Sequence, residues 1–209
     1  MPSSLPTPEQ LVEIGRRFYQ RGWVFGTSGN FSAVLGRDPL RLAITSSGAD
    51  KGDLTTDQIL EIDENCAPAS GMEASPSAEA LLHVEIARTL QAGAILHTHS
   101  IWSTLLSERH AARQGLAIEG YEMLKGLAGV TTHQHREWIP ILENDQDMSR
   151  LAVRVRTVLH ASPAPHAFLL RRHGMYTWGR TLKEAVRHVE IVEFLLEAAG
   201  RNEATPWHS

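Results

Sequence analysis

The chain has 209 residues, of which 42% are hydrophobic and 21% charged, a balance that is ordinary for one globular domain. Its formal net charge of -4 argues against a nucleic-acid partner, since such binding depends on a basic surface. A single cysteine, Cys66, excludes an internal disulfide and a cysteine-based zinc site. We find no apolar run long enough to span a membrane and no signal peptide in residues 1–8, so we expect a cytoplasmic protein without a membrane partner.

The first half of the chain predicts two helices and three strands. Residues 7–10 form a capping box with Pro8 in the first turn, and Gly22 ends this helix. A second helix is predicted to open at residues 75–77 and to continue to about Leu90. Short strand-like runs lie between them, near 30–35, 40–45 and 58–62.

The second half alternates strands and helices. The last helix has the clearest signals, with a capping box from Thr181 to Glu184 and Gly200 as its expected end. Several strand pairs are too close in sequence for a crossover helix, so we predict one α/β domain over residues 1–209 with an antiparallel or mixed sheet and a frayed tail from about 203. The other predicted elements are a buried strand 94–99, a helix 147–160 and a strand 167–172.

Histidines are unusually frequent, with 11 in the chain, and His97-Thr98-His99 is the strongest chemical signal. On a strand, residues i and i+2 point to the same face, so two imidazoles reach one ion while Thr98 turns away. His173 is a third candidate, because Gly174 permits a sharp turn after an apolar strand. Three neutral histidines leave zinc an open position, which is the pattern of catalytic sites. The alternative is that all three are ordinary strand-end and turn histidines.

Two loops have the composition of anion-binding turns. Residues 27–30 and 46–52 combine hydroxyls, glycines and an amide, and the second loop adds one cation, Lys51. Exposed backbone N–H groups in such loops cradle phosphate, although serine, glycine and asparagine are also common in turns without any ligand.

Two glutamates are candidates for proton transfer. Glu122 lies between apolar neighbours, where partial desolvation would raise the pKa of its carboxyl to a useful value. The alternative for Glu122 is an exposed side chain on an amphipathic turn. Glu79 lies in the first turn of a predicted helix, where an acid is favoured by the helix dipole alone. A second histidine pair, His133 and His135, lies in a polar stretch and is interpreted as surface or rim.

Five segments, in order and at compatible spacing, resemble the class II aldolase family. They cover nearly the whole chain: Thr-Ser-Gly-Asn-Phe-Ser (27–32), Thr-Ser-Ser-Gly (45–48), Pro-Ser-Ala-Glu (76–79), His-Thr-His-Ser (97–100) and Arg-His-Gly (172–174). The segments 121–126 and 173–179 are similar to those of dehydratases within the family. The resemblance implies an α/β/α fold around a central, mainly antiparallel sheet. It also implies a homotetramer with active sites near subunit interfaces.

The resemblance further implies a function. It places one zinc ion per subunit on His97, His99 and His173, and a phosphorylated keto-sugar as substrate. It also implies that the phosphate lies near Gly29, Asn30, Ser47 and Gly48, which are the candidate phosphate contacts. Zinc would polarise the ketone and stabilise an enediolate, from which water is lost. The family's dehydratases suggest Glu122 as the acid–base residue, whereas its sugar-phosphate aldolases favour Glu79.

The resemblance leaves other activities open. Ala78 stands where those aldolases have a phosphate-binding serine, which puts one phosphate contact in doubt. An aldolase or 4-epimerase is the first alternative. A non-catalytic interaction module, like the adducin heads that also resemble this family, is the second.

Overall fold

The computed structural model describes residues 6–69, 74–161 and 163–204. The helices are α1 (Pro8–Gln20), α2 (Ala80–Leu90), α3 (Ile101–Arg109), α4 (Met148–Leu159) and α5 (Leu182–Ala204). The strands are β1 (Asn30–Arg37), β2 (Leu40–Thr45), β3 (Ile59–Asp63), β4 (Ala94–Thr98), β5 (Gly115–Glu119), β6 (Arg136–Leu142), β7 (Ala167–Leu170) and β8 (Gly174–Gly179). Short 3-10 helices cover Thr56–Gln58, Ala111–Arg113 and Glu122–Gly126. Within the described ranges, no helix is long and apolar enough to cross a membrane.

All eight strands form one sheet in the order β3-β2-β1-β4-β8-β7-β6-β5. Every neighbouring pair is antiparallel except β6 with β7, which is parallel. One apolar cluster joins one face of the sheet to α1, α3 and α5, and a second joins the other face to α2 and α4. The expected α/β/α layers and mainly antiparallel sheet are therefore confirmed. β4 and β8 occupy the middle of the sheet, where both faces are covered.

The start of the first helix is as predicted, and that of the second is not. The Thr7 N–H donates to Gln10 Oε1 at 3.0 Å, and Gly22 has the positive φ of 75° that follows a helix end. α2 begins at Ala80, later than the predicted opening at residues 75–77. The reason is a pairing with the 46–52 loop, in which the backbone N–H of Ser47 donates to the Ser75 carbonyl at 3.0 Å. This pairing keeps the residues before α2 extended.

The end of α5 also differs from the prediction. The helix continues through Gly200 to Ala204, so the expected end at Gly200 is wrong. Gly200 serves packing instead, because a Cβ there would lie 2.3 Å from the Trp102 ring. Residues 203 and 204 of the predicted frayed tail belong to the helix, and residues 205–209 lie outside the described residues.

Candidate metal centre

His97 and His99 stand side by side at the end of β4. β4 ends at Thr98, one residue before the predicted end, because the backbone N–H of His99 leaves the sheet and donates to the Trp23 carbonyl at 2.8 Å. The His97 side chain is fully buried, and its Nε2 lies 2.8 Å from the Nε2 of His99. The two imidazoles therefore share one side, as the alternation of a strand predicts.

His173 reaches the same point from the turn between β7 and β8. β7 ends at Leu170, before the predicted end at Arg172, and the residue with positive φ is Arg172 at 55°. Gly174 was expected to make this turn, but its role is close approach: a Cβ there would lie 2.2 Å from the Thr98 carbonyl oxygen. The tight contact brings the Nε2 of His173 to 3.1 Å from that of His99.

The three histidines form a group that could hold a metal ion, since one ring nitrogen from each lies within 4.8 Å of the others. The Nδ1–H of His97 donates to the Met175 carbonyl at 2.9 Å, which leaves its Nε2 lone pair free. Burial and the neighbouring imidazoles lower the pKa of His99 to about 2, so this ring is neutral. Nitrogens bound to one ion at about 2.0–2.1 Å are roughly 3.3 Å apart in a tetrahedral site, so only small adjustments are needed.

Glu79 lies against this group. It is the N-cap residue of α2, yet its side chain makes no capping hydrogen bond. Its Oε1 lies 3.2 Å from the Nε2 of His173 and 3.6 Å from that of His97. Burial works to raise the pKa of the Glu79 carboxyl, but the imidazoles of His97 and His173 outweigh it and hold the pKa well below its usual range. Helix-dipole stabilisation alone therefore does not account for Glu79.

A chain of buried hydrogen bonds holds Glu79 in place. The side-chain amide of Asn30 donates to Glu79 Oε2 at 2.6 Å, and its Oδ1 accepts from the Nε2 of His83 at 2.5 Å. His83 accepts at Nδ1 from the Ser32 hydroxyl at 2.7 Å. Burial lowers the pKa of His83 to about 3, so the ring is neutral. Sequence reasoning missed His83, although its spacing of four residues from Glu79 on α2 places both on one helix face.

The two serine- and glycine-containing loops meet in one pocket of about 320 Å³ beside the histidines. Gly29 and Gly48 both have φ of 72°, and a Cβ on Gly29 would lie 2.6 Å from the His97 carbonyl oxygen. The Ser28 Oγ is buried and has no partner within the described residues. The pocket is lined by Thr27, Ser28, Gly29, Asn30, Ser46, Ser47, Gly48, Ser77, Glu79 and His99. All four candidate phosphate contacts are in this lining.

Lys51 lies behind the pocket and joins its two loops. The side chain is 1% exposed, and its Nζ donates to the Ala49 carbonyl at 2.6 Å and the Thr27 carbonyl at 3.4 Å. Burial lowers the pKa of Lys51 to about 8. A positive charge therefore stands close to a pocket whose walls, apart from Glu79 and His99, are neutral hydroxyl, amide and backbone groups.

Glu193 supports β4 from the face opposite the histidines. Thr98 turns away from His97 and His99, as expected, and its hydroxyl donates to Glu193 Oε1 at 2.8 Å. Glu193 is on α5 and is 3% exposed. Burial raises the pKa of its carboxyl to about 7. The residue between two of the histidines is thus anchored by a carboxyl that titrates near neutrality.

Glu122 has a different environment from the one predicted. It lies in the 3-10 helix after β5, its side chain is 72% exposed, and it accepts from Lys125 Nζ at 2.6 Å. His133 Nδ1 is 3.8 Å away. The hydrogen bond from Lys125 lowers the pKa of Glu122, so the expected desolvation and raised pKa are wrong. His133 is exposed, as expected, whereas His135 is only partly exposed and contacts the buried Glu137.

Comparison with known proteins identifies the family. The family model described as "Class II Aldolase and Adducin N-terminal domain" matches residues 9–199. The chain belongs to the class II aldolase family. Two relatives in this family are named methylthioribulose-1-phosphate dehydratase. The one from Methylococcus capsulatus is 44% identical over 92% of each chain, and the one from Pseudomonas aeruginosa is 44% identical over 90% of this chain and 91% of its own.

Solved structures of class II aldolase family members have the same fold. L-fuculose-1-phosphate aldolase from Thermus thermophilus superposes with a TM-score of 0.73 over 94% of each chain, at 23% identity. A putative aldolase/epimerase/decarboxylase from Klebsiella pneumoniae gives a TM-score of 0.75 at 25% identity, over 92% of this chain and 89% of its own. These similarities support the shared architecture and not a shared substrate.

Proposed function

We propose that this class II aldolase family member dehydrates 5-methylthioribulose 1-phosphate to the 2,3-diketo-5-methylthiopentyl 1-phosphate, a step of methionine salvage. The main support is that His97, His99 and His173 converge beside a pocket of phosphate-binding composition. The chain is also 44% identical to a protein named for this reaction. A non-catalytic interaction module would have no need of such a centre.

We further propose zinc as the metal, one ion per subunit, because three imidazoles with an open side match the ligand preference of catalytic zinc. The family typically uses a divalent metal. When bound, zinc supplies Lewis acidity toward the ketone of the substrate. The Met175 carbonyl holds His97 in the tautomer that ligation requires, and Gly29, Asn30, Ser47 and Gly48 would bind or frame the phosphate.

The reaction removes a proton from C3 and hydroxide from C4, so it needs both a base and an acid. Glu79 is at the histidine group and is ionised, which supports a role on the metal side of the substrate. Our choice for the donor of a proton to the leaving hydroxide is Glu122. Within the described residues its polar contacts are Lys125 and His133, and it does not line the pocket, so we propose that a second subunit brings Glu122 to the site.

We therefore propose a homotetramer, which the exposed apolar side chains of Ile101 and Leu105 on α3 and Phe194 on α5 support. The three residues are 65%, 54% and 49% exposed, and α3 packs against α5. A cytoplasmic location is also proposed, because the single cysteine, Cys66, is free.

The test removes one histidine at a time. His97→Ala, His99→Ala and His173→Ala should each lose bound zinc and dehydratase activity, because a three-ligand site tolerates no loss. The control is His160→Ala, an exposed histidine at the end of α4. Full zinc occupancy in the three variants, measured by elemental analysis, would contradict the assignment. Retro-aldol cleavage without water loss would instead favour the aldolase alternative.

A further inference from the structure

Four titratable side chains cluster under the segment that joins β5 to β6, outside the pocket described above. Glu137 is 3% exposed and lies at the centre. Its Oε2 is 2.7 Å from the Nε2 of His135 and 3.0 Å from the Nδ1 of His166. The ring of His188, on α5, lies 5.3 Å from that of His166. None of these groups has a part in the chemistry proposed so far.

His166 and His188 bind both backbone polar groups of one residue, Ala128. The Nε2 of His166 is 2.9 Å from the Ala128 carbonyl oxygen, and the Ala128 N–H donates to the Nε2 of His188 at 3.1 Å. The Nδ1 of His188 is 2.7 Å from the Trp178 carbonyl oxygen. Ala128 follows the 3-10 helix that begins with Glu122. His166, the residue before β7, and His188, on α5, therefore hold the segment that carries Glu122 in place.

The partners fix the protonation state of each ring. His188 faces a carbonyl at Nδ1 and an N–H at Nε2, so only Nδ1 carries hydrogen and the ring is neutral. His166 faces acceptors at both nitrogens, the Glu137 carboxylate and the Ala128 carbonyl, so both carry hydrogen and the ring is charged. Burial opposes the charge on His166, but Glu137 outweighs it and raises the pKa of that ring. Burial lowers the pKa of His188.

We propose that His166 and His188 are positioning residues that hold segment 120–135, and with it Glu122, through the backbone of Ala128. The inference rests on the proposed acid–base role of Glu122. The two hydrogen bonds to Ala128 require that His166 is charged and that His188 is neutral. Loss of the His166 proton at higher pH removes a donor, and protonation of His188 at lower pH turns an acceptor toward the Ala128 N–H into a second donor.

Other charges also face the pair. Glu184 favours the charged form of both rings, whereas Arg187 opposes charge on His188. His135 shares the Glu137 carboxylate with His166. Both hydrogen bonds to Ala128 form at pH values between the pKa values of the two rings. Turnover should therefore fall at pH values above and below that range.

The test compares leucine and glutamine at each position. His166→Leu and His188→Leu should lower kcat by tenfold or more, with zinc content and KM for the phosphorylated substrate unchanged, because neither ring touches the metal group or the pocket. Glutamine can form hydrogen bonds but does not titrate, so His166→Gln and His188→Gln should recover kcat and each flatten one limb of the pH profile. Hydrogen exchange at the Ala128 amide should accelerate in the leucine variants. His160→Leu, at an exposed histidine at the end of α4, is the control.

Two results would overturn the inference. One is an unchanged kcat and pH profile in both leucine variants while Glu122→Gln is inactive, which leaves the role of Glu122 standing. The other is a loss of zinc, or a rise in KM as large as the fall in kcat. Either would show a merely structural role. If Glu122→Gln keeps full kcat, the acid–base role itself fails, and the inference fails with it.

Discussion

At the scale of single residues, the environment of a carboxyl decides what it can do. Glu79 and Glu122 have the same side chain, but Glu79 is held by Asn30 against two imidazoles, and Glu122 is exposed beside Lys125. The first carboxylate is fixed in direction and cannot easily swing to a leaving group. The second is exposed and paired only with surface groups, as the role proposed for it at a subunit interface requires.

Replacing each glutamate by glutamine separates these roles. Glu122→Gln should keep zinc and lower kcat by about 10²–10⁴-fold with a modest change in KM, because the amide cannot exchange a proton. Glu79→Gln should instead weaken zinc binding, by roughly 10–100-fold if it acts as an outer partner of the ligands. Kinetics and elemental analysis of both variants check this. If Glu122→Gln matches the unmodified protein while Glu79→Gln is inactive with zinc bound, the proton transfer belongs to Glu79.

Glu193 should make stability depend on pH in an unusual direction. Its folded pKa is raised to about 7, so the folded state keeps a proton that the unfolded state releases near pH 4.5. As pH rises from about 4.5 to 7, the unfolded state therefore binds fewer protons and stability falls, by at most about 3 kcal/mol, with no further loss above pH 7. Urea unfolding of Glu193→Gln should lack this fall. Glu203→Gln, an exposed position on the same helix, should retain it.

The sequence allowed more to be predicted of the ligand histidines than of their surroundings. His97 and His99 follow from strand alternation, which is local. The contacts of Glu79 with His173 and of Glu193 with Thr98 join residues 94 and 95 positions apart, and no local pattern reports such distances. For Glu122 the local reading failed because apolar neighbours in sequence do not establish burial.

At the scale of elements, the closest contact in the site is between β4 and the start of β8. Gly174→Ala would put a Cβ 2.2 Å from the Thr98 carbonyl oxygen, a backbone atom that cannot move alone. We expect a loss of about 1–3 kcal/mol in stability and reduced zinc content, because His173 would be pushed away from His99. Thermal unfolding and elemental analysis measure both. The control is Gly36→Ala, whose nearest neighbour is the flexible end of Arg41 at 3.3 Å; equal behaviour of the two variants would contradict the expectation.

Elements with a clear boundary signal were predicted, and those without one were missed. α1 and α4 have capping residues and amphipathic patterns, and both were found. α3 has no apolar stripe, because it exposes Ile101 and Leu105 while burying Ser103 and Leu106. β5, β6 and β8 were also missed, since short apolar runs do not separate strand from loop by periodicity alone.

At the scale of the whole molecule, the pocket joins segments that are distant along the chain, and Lys51 fastens two of them. Lys51→Met should raise KM for the phosphorylated substrate at least tenfold, about 1.4 kcal/mol of binding, with a smaller effect on kcat. In the unmodified protein the affinity should decline as pH rises through about 8, because Lys51 then loses its charge. This decline should be absent in Lys51→Met and present in the control Lys183→Met. An unchanged KM in Lys51→Met would show that the Lys51 charge does not contribute to phosphate binding.

The distance along the chain between the proposed ligand histidines has a consequence for how the protein opens. His99 and His173 are 74 residues apart, and both are fixed to the two central strands of the sheet. Local fraying at either edge of the sheet leaves this group intact, whereas an opening that separates the middle of the sheet breaks it up. An ion present at a thousand times its dissociation constant would thus add about 4 kcal/mol to global opening and almost nothing to edge fluctuations. Metal loading would slow amide exchange in β4 and β8 and leave that of β3 and β5 unchanged.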